Sequence, residues 1–302
     1  MSDTAAATPK GSPLDAVPPE LLILSGALSV QFGAGLATSL MRDYGPLPVV
    51  AMRIGFGALL LLAFQRVKIR GASRVALGSC VALGVILAAM NTLFYIGISR
   101  IPLGVAVTIE FWGPLSLAVL GSRRWLDLVW VALAAAGIYI LAGGRLRADD
   151  AVGVAAVFAA GFCWALYIVV GGRLAVHWPD GRGLTLAMVV AALVSLPVVL
   201  IASDVRPLLA APLALAGGVV IALFSSAIPY TAEIAALRRL PAATFGVLMS
   251  LEPAIATAIG FVLLGQLLHP EDLLAIGCVA LASAGASISA RRVPAAGVLE
   301  SA

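Results

Sequence analysis

A chain of 302 residues in which 62% are hydrophobic and only 11% charged, with a mean hydropathy of +1.08, does not have the make-up of a water-soluble domain. Its net charge of +4 comes from basic residues spread one or two to a loop, with no stripe or arm, which excludes a nucleic-acid partner. Cys80, Cys163 and Cys278 each fall within an apolar run and make no CxxC pair, so they read as small buried hydrophobes with no disulfide or metal role.

The first twenty residues are polar and carry Pro9, Pro13, Pro18 and Pro19, the composition of a disordered tail. Ten apolar runs follow, most of about twenty residues, the length that crosses a hydrocarbon core of ~30 Å. The first half holds runs at 21–41, 47–65, 75–98, 101–121 and 125–143; the second holds 151–171, 184–203, 212–236, 240–267 and 272–290. The first run is too long for a signal-peptide core and reads as a retained span. Gly and Pro punctuate the joints, as at Gly45-Pro46 and His269-Pro270, and a polar linker at 145–150 separates the halves. The expected fold is an all-α integral membrane protein of ten transmembrane helices. Its parts are a cytoplasmic tail (1–20), two five-helix units (21–144 and 151–290) and a second cytoplasmic tail (291–302).

Orientation follows from the loop charges. Thirteen Lys and Arg, from Lys10 through Arg70, Arg124, Arg182 and Arg239 to Arg292, lie on the side that holds both termini. Five, Arg42, Arg100, Arg145, Arg147 and Arg206, lie on the other. The asymmetry predicts cytoplasmic termini. Because each half has an odd number of spans, the second enters from the opposite face and the repeats are inverted.

A repeat is visible in the residues themselves. RIPLGVAVTIEFWGP at 100–114 returns as RLPAATFGVLMSLEP at 239–253. The pairs Thr92/Thr231, Arg100/Arg239, Pro102/Pro241, Pro114/Pro253 and Gly121/Gly260 all share an offset of 139. A mid-span proline leaves the carbonyl four residues earlier without its helical donor, here Glu110 and Met249. Discontinuous helices at matching places of two halves predict a transporter-type site in a central cavity near the bilayer midplane.

Four ionisable residues fall inside spans: Arg53, Glu110, Glu233 and Glu252. A charge at mid-span costs about 2.5–3.5 kcal/mol on insertion scales, so each needs a partner, a wet cavity or a proton. Glu110 is the tenth residue of its run and shares a helix face with Pro114. It reads as a substrate or proton site, against a protonated carboxyl bonded between helices. Glu252 is as deep, and either faces the cavity or satisfies backbone freed by Pro253. Glu233 is five residues from Arg238 and suits a cavity mouth or a local salt bridge. Arg53 pairs with a carboxylate or, in the alternative, meets substrate. Of the polar and aromatic residues within spans, Gln31, Asn91, Tyr95, Trp112, Trp164, Tyr167 and Tyr230, the pair Trp164 and Tyr167 shares a face and suits a cavity wall. No GxxxxGK[ST] is present, so no ATP hydrolysis is built in. Both histidines are in loops and no paired aspartates lie mid-span, which leaves no catalytic constellation for a membrane enzyme. No repeated filter segment suggests a channel.

Several stretches together resemble the EamA branch of the drug/metabolite transporter superfamily: Ala51-Met52-Arg53, NTLFY (91–95), IPLGVAVTIEFWGP (101–114), SRRWLDLVW (122–130), CWALYI (163–168), IPYTAEIAALRRL (228–240) and TFGVLMSLEPAIATAIGFVLLG (244–265). They run from the second span to the ninth. The resemblance implies two inverted five-helix repeats around a central cavity, in a multi-pass protein of the bacterial inner membrane that needs no cofactor. It implies export of small amino acids, threonine- or homoserine-like, or related metabolites, and the expected coupling ion is the proton. The substrate- or proton-binding candidates are Glu110, Asn91, Tyr95, Trp164, Tyr167, Tyr230 and Glu252, supported by Arg53, Pro114, Glu233 and Pro253. Where the family often carries an acid after the glycine closing the ninth span, this chain has Gln266. The alternatives are efflux of aromatic compounds or drugs and, from another class, a membrane enzyme or sensor.

Overall fold

The apolar runs fold as helices. The structure, a computed structural model, describes residues 16–65, 67, 72–120, 126–143, 151–178, 181–237, 239–240, 245, 248–267 and 269–290. In chain order the helices are α1 (Pro19–Tyr44), α2 (Pro46–Phe64), α3 (Arg74–Ile98), α4 (Leu103–Glu110), α5 (Trp112–Leu120), α6 (Leu126–Gly143), α7 (Ala151–His177) and α8 (Arg182–Ala202). There follow α9 (Arg206–Leu209), α10 (Pro212–Ala222), a π-helical turn (Leu223–Ala227), α11 (Ile228–Leu237), α12 (Glu252–Leu264) and α13 (Pro270–Ala290). Among the described residues there is no strand. Most of the expected tail at 1–20, the linker at 145–150 and the tail at 291–302 lie outside the described residues.

Among the described residues five helices, α1, α2, α3, α7 and α8, are long and apolar enough to cross a membrane. Their ends carry local stop signals. Gly45 takes φ +77° between α1 and α2, a left-handed φ that only glycine adopts at little cost, and Pro46 opens the next helix. The Ser73 hydroxyl accepts from the Ala76 N–H and caps α3. The remaining apolar segments are shorter or interrupted, and the interruptions position the site. The run expected as one span at 101–121 is two helices, α4 and α5, separated by a turn at Phe111. The run at 212–236 passes through the π-helical turn, and in the run at 240–267 a turn at 250–251 precedes α12. Ser250 is Phe111 plus 139, so the two breaks are separated by the same offset as the paired motifs.

Packing is reciprocal between the halves. Helix α3 lies on α7 and α8, while α10 and α11 lie on α1 and α10 also lies on α2. Helix α5 packs on α7 as α12 packs on α1, and α6 pairs with α13. Small residues allow the close approach: a Cβ on Gly84 of α3 would stand 2.6 Å from the Ala187 carbonyl oxygen of α8. The largest core cluster joins both halves around Val49, Leu83, Leu87, Tyr95, Ile109 and Val157. Outside it, large apolar side chains face outward, with Ile201 and Leu213 both 87% exposed. An apolar exterior of this kind suits lipid rather than water.

Candidate functional site

A cavity of about 490 Å³ lies among these helices, within the size range of small-molecule sites. Its polar groups come from elements far apart in sequence: Arg53 on α2, Asn91 on α3, Glu110 at the end of α4, Glu233 on α11 and Glu252 at the start of α12. Trp164 and Tyr167 of α7 and Phe111 and Pro114 at the α4–α5 break supply apolar wall. Glu110 is 8% exposed and Glu252 5%, so both carboxyls are enclosed by the fold.

The first break is built by proline chemistry and held by aromatic rings. Pro114 brings no N–H to the Glu110 carbonyl, whose oxygen stands against α7 where a Cβ on Gly161 would meet it at 2.7 Å. Phe111 closes the turn, receiving the Leu115 N–H at 3.2 Å. Its ring meets Trp164 edge-on with centroids 5.1 Å apart. Next along, Trp112 stacks on Phe158 at 4.4 Å and its Nε1–H donates to the Phe158 carbonyl at 2.9 Å. Glu110 is therefore carried on a turn pinned to α7 rather than on a free helix.

The second break has the same form as the first: Pro253 in α12, like Pro114 in α5, sits in the first turn of a helix that starts just past a turn, rather than in mid-helix as the sequence suggested for both. It is buried beside the cavity and does not line it. Glu252 stands in that same first turn, where the helix dipole favours an anion.

A third break was missed in the sequence. Pro229, within the IPY stretch, follows the π-helical turn and supplies no N–H to the carbonyls of Phe224 and Ser225. Both find side-chain donors instead. The Ser29 hydroxyl donates to the Phe224 oxygen at 2.7 Å, and the Arg53 Nη2 donates to the Ser225 oxygen at 3.2 Å. The signal was there to read: a Ser-Ser pair and a proline in the middle of an apolar run.

Arg53 has no carboxylate partner among the described residues within the 4.0 Å of an ion pair. Its guanidinium carbon lies 5.4 Å from the centre of the Tyr95 ring and it bonds a neutral carbonyl, while Glu110 acts on it from beyond ion-pair distance. Tyr95 is wholly buried behind Arg53 and does not line the cavity. Asn91 spends one amide N–H on the Leu87 carbonyl of its own helix, at 2.8 Å. Glu233 lines the cavity, while Arg238, its suggested partner, lies outside the described residues. The Tyr230 side chain is likewise outside them. Gln31, Ser225, Phe245 and Met249 line the cavity although the sequence alone did not single them out for it. Gln266 stands away from it: its Oε1 accepts the Leu103 N–H at 3.1 Å and ties the end of α12 to the start of α4.

Comparison with known proteins fits this architecture. The EamA-like transporter family matches residues 151–288. The threonine/homoserine exporter RhtA of Escherichia coli (strain K12) is 39% identical over 287 residues, covering 91% of this chain and 92% of that protein. The RhtA of Salmonella typhimurium (strain LT2) is 38% identical over 289 residues, covering 91% and 93%. A solved crystal structure shares the fold, with a TM-score of 0.63 at 19% identity over 91% of this chain and 98% of that one. With long apolar helices, a lipid-suited exterior and a cavity that gathers three carboxyl side chains, the chain is a multi-pass membrane protein that belongs to the EamA-like transporter family.

Proposed function

We propose that this protein is a secondary active exporter of small amino acids of the threonine and homoserine kind, driven by protons. The observation that carries the reading is the meeting of Glu110, Glu233 and Glu252 in one cavity at the helix breaks. Three carboxyls so close in an apolar wall are not all ionised without cations, so the cavity has room for protons and for a substrate ammonium in turn. Glu110 is the coupling group in this reading, since it sits on the pinned turn at the first break. Asn91, Trp164, Tyr167 and Glu252 complete the binding wall, and Tyr230 belongs to the same set by its place on α11. The named activity of the RhtA relatives supports the substrate class.

In the same proposal the chain makes ten crossings as two inverted five-helix repeats (21–144 and 151–290), with both termini in the cytoplasm of a bacterial inner membrane. The reciprocal packing of α3 on α7 and α8 against α10 on α1 and α2 supports that symmetry, as do the matching breaks at Phe111 and Ser250. On this topology most of the cavity wall belongs to the cytoplasmic halves of the spans, and the Gln266–Leu103 bond ties two helix ends on the outer side. Transport needs no ATP in this reading.

Trp164, Tyr167 and Phe111 make part of the wall aromatic, which favours efflux of aromatic compounds as the second reading. Counterflow in proteoliposomes separates the two. Saturable exchange of labelled threonine, blocked by homoserine and stimulated by a proton gradient, supports the first. Exchange that only aromatic compounds inhibit supports the second, and no saturable exchange of either class refutes both.

A further inference from the structure

Among the described residues that line the cavity, Arg53 alone is basic. Both contacts that hold its guanidinium are neutral, the Ser225 carbonyl at 3.2 Å and the face of Tyr95 at 5.4 Å. A guanidinium has five N–H donors, and the Ser225 carbonyl takes one. The fold has thus placed a permanently charged group in an apolar wall, set it over an aromatic ring, and, among the described residues, left it no carboxylate within the 4.0 Å of an ion pair, Glu110 acting on it only at longer range. Such an arrangement is costly unless a ligand supplies the anion. The carbonyl that anchors it is itself free only because Pro229 lacks an N–H, so the anchor depends on the α10–α11 interruption.

The rest of the wall restricts what that anion is. Glu110, Glu233 and Glu252 share the cavity, so a ligand with negative charge alone meets repulsion from them. A zwitterion satisfies both sets: its carboxylate meets the guanidinium while its ammonium meets a carboxyl across the cavity.

We propose that Arg53 binds the substrate carboxylate, with Tyr95 and Ser225 positioning the guanidinium, so that the cavity selects free α-amino acids over their amides. This rests on the amino-acid export reading and names the group that recognises the acid end of the substrate. Arg–carboxylate bonds are paired and planar, which lysine reproduces in charge but not in geometry.

The experiment is competition against labelled threonine counterflow in proteoliposomes, using threonine and threoninamide as competitors. The wild type should prefer the free acid at least tenfold. Arg53→Gln should weaken threonine at least tenfold, leave the amide within about threefold of its wild-type potency, and so abolish the preference. Arg53→Lys should keep part of the preference at lower affinity, and it serves as the second variant if the glutamine form does not fold. Tyr95→Leu should raise the half-saturating threonine concentration with less effect on maximal rate. Threonine exchange with equal inhibition by acid and amide in the wild type overturns the carboxylate assignment while leaving amino-acid export standing. Absence of exchange for any amino acid overturns the export reading and this assignment with it.

Discussion

The pinned turn at Glu110 can be tested by adding one methyl group to Gly161. A Cβ there meets the Trp112 Nε1 at 2.6 Å, the Glu110 carbonyl oxygen at 2.7 Å and the Trp112 Cδ1 at 2.8 Å. Two of these atoms belong to a ring already fixed by stacking on Phe158 and by a hydrogen bond, and the third is backbone. The substitution gains about 1 kcal/mol of helix propensity. Against it stand about 1–3 kcal/mol of overpacking and about 1 kcal/mol if the Trp112 bond to Phe158 is lost. The net is a destabilisation of roughly 1–3 kcal/mol, together with displacement of Glu110. Gly171, on the same helix, is the control, because a Cβ there meets nothing within 4 Å. Gly171→Ala should leave stability unchanged or raise it by up to about 1 kcal/mol. Denaturation of both variants in the same detergent measures the difference, and threonine counterflow measures the consequence for the site. If Gly161→Ala unfolds at the same midpoint as Gly171→Ala and transports normally, the turn is not held against α7 as described.

Glu110→Gln removes the titratable group and keeps the size, so the protein should insert and fold. Proton-driven export should fall at least tenfold and the pH dependence of residual exchange should flatten; an unchanged rate and pH profile would falsify the coupling role. Pro114→Ala restores a donor for the Glu110 carbonyl and should impair transport more than it reduces folded protein, measured as exchange per purified molecule. Pro253→Ala, at a proline that does not line the cavity, should change both by little, and a loss equal to that of Pro114→Ala would show that the two breaks work alike. For topology, a single cysteine in place of Arg182 should be shielded from impermeant thiol reagents in whole cells, whereas one in place of Glu271 should label. The reverse pattern overturns the proposed orientation.

What the sequence alone determined is local: run length, loop charge and proline position. A stretch of about twenty apolar residues has to satisfy its own backbone in lipid, so helices α1, α2, α3, α7 and α8 were legible from composition. Pro114 removes a donor wherever it sits inside a helix, so the break next to Glu110 was legible as well. Other features depended on neighbours. Pro253 looks the same as Pro114 in a string of letters and each opens a new helix after a turn, yet only Pro114 lines the cavity. Arg53 seemed to need a carboxylate, and the fold supplied instead a carbonyl from residue 225 and a ring from residue 95. Tyr95 and Asn91 both belong to the NTLFY stretch, but the helix turns one behind Arg53 and the other to the cavity. Only the tertiary structure decides such matters. In a membrane helix the faces toward lipid and toward protein are equally apolar, so no periodicity in the sequence marks which side chains meet.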